Sequence, residues 1–224
     1  MGIQAVMRYF RRKRMRRFEE TFSITAETRV LDVGGTPFNW TLARVRPRLT
    51  IVNFPSAKEN SGDFVAWVGA DGRMLPFPDR CFDVAFSNSV IEHVGDAASQ
   101  RRFAAEIARV ARAYWVQTPN RWFPAEPHMM MPFIHFLPRR WQSAIIRRFT
   151  FWELLARPDR HAKDFYIEHY LRDIRLLDAR ALMEMFPEAR LIRERVGGLT
   201  KSLIAVKRSG RDRPMTGPQG TRSG

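Results

Sequence analysis

Three short groups of residues in this chain carry side chains suited to holding a nucleotide-sized ligand and moving a proton beside it. The first is Arg29 to Gly35 (RVLDVGG), where Asp32 and the pair Gly34, Gly35 close an apolar run. The second, Gly69 to Val94 (GADGRMLPFPDRCFDVAFSNSVIEHV), supplies Asp71 beside Gly72, then Ser87, Asn88 and Ser89, then Glu92 and His93. The third, QTPNRWFPAEPH, holds Arg121, Glu126 and His128. Carboxylates accept from ammonium, exocyclic amine or ribose hydroxyl groups, and glycines let backbone amides lie against a ligand without a side chain between. His93, Glu92 and His128 are candidate general bases, histidine because it titrates near neutrality. Each also has a plain structural use: Asp32 capping the next helix, Glu92 and His93 ordering a loop, His128 in a proline-braced turn.

These groups need a frame that brings them to one edge. Arg29 to Val33 reads as a buried parallel strand running into a glycine turn, and Phe82 to Ser87 as another opening into a polar loop. Between and after them strand and helix alternate: Phe38 to Arg46, Leu49 to Asn53, Phe64 to Val68, Ala97 to Val110 and Ala113 to Gln117. Such alternation predicts a parallel sheet with helices on both faces and a ligand at the carboxyl ends of the strands. After Pro119 it breaks into an aromatic, Met-rich segment, then resumes at Asp178 to Phe186, Ala189 to Arg195 and Lys201 to Val206, with Gly197 and Gly198 at a tight reversal.

The order LDVGG, ADGRMLPFPDRCFD, SNSVIEHV resembles the class I S-adenosylmethionine-dependent methyltransferases, particularly the bacterial type-11 methyltransferase domains. The resemblance covers roughly Arg29 to Asn120, with weaker agreement to Lys207. It implies an α/β, Rossmann-like open sheet of seven mostly parallel strands with an antiparallel final strand, and a helical insertion after the fifth. It also implies S-adenosyl-L-methionine as cofactor: Asp32, Gly34 and Gly35 at its methionine part, Asn53 at the ribose, Asp71 and Gly72 at the adenine, Ser87 and Asn88 beside the sulfonium. Two departures stand out. Thr36 and Phe38 occupy glycine positions of the usual pattern and should narrow the floor of the site, and Asn53 stands where an acid is common, so Asp there should restore a charged acceptor.

The 224 residues suffice for one substantial core. Of the net charge of +15, residues 1–20 carry +5 and residues 207–224 carry +4, so no basic binding face is demanded of the body. A nucleic-acid acceptor accordingly gains little support. One cysteine, Cys81, excludes an internal disulfide and fits a reducing compartment. The apolar run from Met129 to Leu137 is too short to span a bilayer, and the apolar-before-basic N-terminus is the reverse of a secretory signal; the expectation is cytoplasmic.

We therefore expect a basic amphipathic helix over residues 1–22, a methyltransferase domain over 23–207 and a disordered tail over 208–224. The helix packs beside the sheet or, with the insertion, touches an anionic membrane surface. Arg121 to Leu155 should cover the acceptor, a small or lipid-linked molecule. The alternatives are a cofactor-binding protein without turnover and a nucleic-acid methyltransferase.

Overall fold

The structure is a computed structural model describing residues 3–54, 65–126, 131–150, 154 and 158–209. Strands β1 (Arg29–Val33), β2 (Arg48–Asn53), β3 (Val65–Gly69), β4 (Phe82–Asn88) and β5 (Ala111–Pro119) are joined by β8 (Arg190–Val196) and β9 (Leu199–Lys207) in one seven-stranded sheet. Its order is β3-β2-β1-β4-β5-β9-β8. The first five are parallel, and β9 runs antiparallel to both its neighbours. The antiparallel final strand and the Gly197, Gly198 reversal are as the sequence implied, both glycines having positive φ.

Strands buried on both faces must be apolar throughout, and β1 shows the consequence. Leu31 and Val33 face one layer, with Phe103, Ile107, Leu182 and Phe186 from helices α3 (Ala97–Val110) and α6 (Ala179–Met185). Val30 faces the other, with Met15, Phe18 and Phe22 from α1 (Ile3–Phe22) and Trp40 from α2 (Pro37–Trp40). α3 starts where Asp96 accepts from the Ser99 amide at 2.8 Å, and Phe103, Ile107 and Val110 recur at helical spacing to give its buried face. Truncating the fully buried Phe103 to Ala would cost about 3–5 kcal/mol.

The expected segment Phe38 to Arg46 shortens to the single turn of α2. Thr36 gives no side-chain cap, and the carboxylate of Glu19 on α1 accepts instead from the Arg44 and Val45 amides at 2.7 and 3.0 Å. Pro47 also disfavours helix at Arg46. The insertion contains β6 (Ala125–Glu126) paired with β7 (Met131–Pro132), α4 (Arg139–Arg148) and α5 (Arg160–Asp173). It has its own small core of Met131, Ile134, Ile146, Ile167, Tyr170 and Ile174. Phe64, the tail from residue 210, and His128 lie outside the described residues. Among the described residues no helix is long and apolar enough to cross a membrane.

α1 packs against the sheet, and Arg14 fixes it there. Its guanidinium donates to both carboxylate oxygens of Glu194 at 3.0 and 2.6 Å, to Asn88 Oδ1 at 2.5 Å and to Gln117 Oε1 at 2.9 Å. Arg12, Lys13, Arg16 and Arg17 stay exposed.

Candidate active site

Parallel register brings the ends of β1, β2, β3 and β4 together, and a cleft of about 470 Å³ opens there. Gly34, Asn53, Asp71, Gly72, Ser89 and His93 line it. Gly34 has φ of +77°, and a Cβ on it would lie 2.5 Å from the Val90 side chain, so a bare backbone is required there. A Cβ on Gly72 would strike Phe103 at 2.7 Å. Both glycines thus line the cleft with main chain alone while Val90 and Phe103 pack against them, and the Gly34 amide donates to the Val52 carbonyl at 2.7 Å.

Asn53 does more for the turn than for an open acceptor position. Its Nδ2 donates to the Gly35 carbonyl at 3.0 Å while its Oδ1 accepts from the Phe54 amide at 2.8 Å. Asp71 faces the cleft with its carboxylate gripped by Arg73 at 2.6 Å, and that contact holds its pKa below the usual carboxylate value. A ligand amine at Asp71 would share this carboxylate with the guanidinium.

Asp32 is placed differently from the other carboxylates. It is fully buried on the α1 side of the sheet, accepts from the Trp40 indole at 2.7 Å, and does not line the cleft. Burial pushes its pKa up to about 7 against the lowering effect of the Trp40 bond. Its carboxylate lies directly beneath Gly35, where a Cβ would meet Oδ2 at 1.9 Å. Asp32 and Gly35 thus build the turn from below.

Ser87 and Asn88 also serve the scaffold. Ser87 Oγ donates to the Val33 carbonyl at 3.0 Å, and Asn88 accepts from Arg14. The side chain of that loop reaching the cleft is Ser89, held at φ of 57° with its Oγ 2.9 Å from Gln117 Oε1. Glu92 is fully buried and accepts from Thr118 Oγ1 at 3.0 Å, whereas His93, one residue on, lines the cleft. Thr36 and Phe38 are absent from the cleft lining, so they do not narrow it; Phe38 is exposed with the Arg11 guanidinium 5.4 Å from its ring centroid.

The sequence reading missed Asp173, which comes from the end of α5 to line the same cleft. It lies beyond all three motifs in the chain, and no local pattern marks it.

Residues 43–113 match the methyltransferase domain family. No curated protein matches the chain by sequence. Among solved structures, a Pyrococcus horikoshii OT3 protein is similar at 14% identity and TM-score 0.56, covering 92% of this chain and 91% of that one. Magnesium protoporphyrin IX methyltransferase from Synechocystis PCC 6803, solved with bound S-adenosylhomocysteine (SAH), aligns at 10% identity and TM-score 0.55, over 92% and 85%. A Haloferax volcanii methyltransferase complex with the Trm112 activator gives 12% identity and TM-score 0.51, over 84% of each chain. The matched segment is that of a methyltransferase domain, and the seven-stranded sheet is a Rossmann-like methyltransferase fold.

Proposed function

We propose that this protein transfers the methyl group of S-adenosylmethionine to a small-molecule, glycan or lipid-linked acceptor. The observation that carries the reading is one cleft at the carboxyl ends of the parallel strands that Gly34, Asp71, Gly72 and His93 line together. The cofactor supplies an electrophilic methyl group when bound. The chain's own task is to hold it and the acceptor in line, an ordering worth up to about 7–11 kcal/mol of barrier. His93 is the base we assign to the acceptor proton, a role worth about 10²- to 10⁴-fold. Glu92, next to it in the chain, is buried and accepts from Thr118.

The acceptor side falls to the insertion, where Trp122 and Phe136 stack at 5.9 Å between centroids and both remain exposed with Phe133. Exposed Arg12, Lys13, Arg16 and Arg17 on α1 support peripheral contact with an anionic membrane, which suits a lipid-linked acceptor.

Calorimetry with SAH tests the assignment. The wild-type chain should bind it, and Asp71→Ala should weaken binding by about tenfold, the cost of one charged hydrogen bond. Unchanged affinity in Asp71→Ala sinks the adenine assignment, and no binding by the wild-type chain sinks the methyltransferase reading. Binding without methyl transfer to any small-molecule or lipid extract would favour a regulatory role.

A further inference from the structure

A second cleft, of about 210 Å³, opens between α4 and the segment joining α5 to α6. Arg121, Arg139 and Arg175 converge on it together with His135, Gln142 and Tyr170. We propose that this cleft takes an anionic group, a phosphate or carboxylate, carried by the methyl acceptor. This rests on the transferase reading above and names the acceptor's chemistry.

Three guanidinium groups around one small opening repel each other, and such an arrangement draws an anion in. Among the described residues, none of the three pairs with a carboxylate. Arg139 donates to the Ile174 carbonyl at 3.0 Å, and its pKa is lowered by partial desolvation and then by the Arg175 charge. The Arg121 guanidinium lies 5.5 Å from the Trp122 ring centroid. Guanidinium groups grip phosphate or carboxylate in a fork, and three of them around an anion give charge-assisted bonds from several directions.

Position ties this cleft to the cofactor cleft. Asp173 lines the first, while Ile174 and Arg175, next in the chain, line the second. The Arg175 amide donates to the Glu92 carbonyl at 2.8 Å, and the Arg121 amide to the Leu177 carbonyl at 2.9 Å. The walls of the two clefts are thus joined through Asp173 to Arg175 and through the bond from Arg175 to Glu92, next in the chain to His93. The acceptor would be anchored by its charge while its neutral nucleophile reaches the methyl group.

The test uses the full chain at constant ionic strength, saturated with SAH, titrated with inorganic phosphate and with acetate. We expect saturable one-site binding of at least one anion, weakened about tenfold in Arg175→Gln and in the exposed variant Arg121→Gln, and changed less than about twofold in Arg140→Gln, whose side chain lies outside the cleft. SAH affinity should stay within about twofold in all three. Tighter phosphate assigns a phosphorylated acceptor, and tighter acetate a carboxylated one. No saturable binding of either anion, or equal weakening in Arg140→Gln, overturns the anion site. Failure of the wild-type chain to bind SAH would instead remove the methyltransferase reading.

Discussion

Replacing Asp32 with Asn should change how stability depends on pH more than how large it is. Asp32 sits on β1 with no exposure, holds the Trp40 indole at 2.7 Å, and has its other oxygen buried without a partner among the described residues. Its carboxyl is raised from 3.8 to about 7 in the folded protein by burial. A raised acid favours the proton-bound folded state, so its contribution is fully present below about 3.8 and is lost as pH climbs to about 7. At about 1.4 kcal/mol per pH unit, the whole interval amounts to about 4 kcal/mol. Urea denaturation of both chains at pH 5, 6, 7 and 8 measures it. The stability of Asp32→Asn relative to wild type should rise by about 1.4 kcal/mol per unit up to about pH 7 and then level off. Asp83 and Glu106, whose pKa values are lowered by Arg29 and Arg109, cancel because both chains have them. A flat difference across this range would mean that Asp32 is ionised as in water, and the reading of β1 as a dry strand beside Trp40 would fail.

Other perturbations follow from the cleft. Asn53→Asp removes the donor to the Gly35 carbonyl and sets a carboxylate against it, so stability should fall by about 1–3 kcal/mol in urea titrations and SAH affinity should drop; improved affinity in a fully stable variant would restore the ribose-acceptor expectation. Gly34→Ala, at φ of +77° and against Val90, should cost about 1–3 kcal/mol from overpacking, with Val90→Ala recovering part of it; additive losses in the double variant would contradict the contact. His93→Ala should lower methyl transfer by at least about 10²-fold with SAH binding nearly intact, and normal turnover would move the base elsewhere, His128 included.

Much of the frame could be read from local pattern. RVLDV and FDVAFSN are strands because parallel strands covered on both faces must be apolar, and AASQRRFAAEIARV is a helix because Asp96 and the spacing of Phe103, Ile107 and Val110 say so. The placement of Gly34, Asp71, Gly72 and His93 at one cleft followed from that order of strands. What stayed hidden depends on partners distant in the chain. Asn53 stands where the resemblance implies a ribose contact and lines the cleft, and its Nδ2 donates to the Gly35 carbonyl, eighteen residues away, a partner no local pattern announces. Asn88 was read as a sulfonium neighbour, but an arginine 74 residues earlier occupies its oxygen. Helical spacing in α1 revealed an amphipathic element without revealing that Arg14 would lie on its buried side, because nothing local shows Glu194 waiting 180 residues on. The segment read as a helix over Phe38 to Arg46 ends after one turn, and the amides of Arg44 and Val45 beyond it are taken by Glu19, about 25 residues earlier.

The oxygen Gln117 Oε1 accepts from two donors, Arg14 on α1 and Ser89 at the cleft of Gly34 and Asp71. A single acceptor serving both makes the docking of the helix and the shape of the cleft wall one linked equilibrium. By reciprocity, whatever free energy helix docking adds to ligand affinity, ligand occupancy returns to helix docking. The amino-terminal helix is in this sense a thermodynamic part of the ligand site, although none of its described side chains lines the cleft.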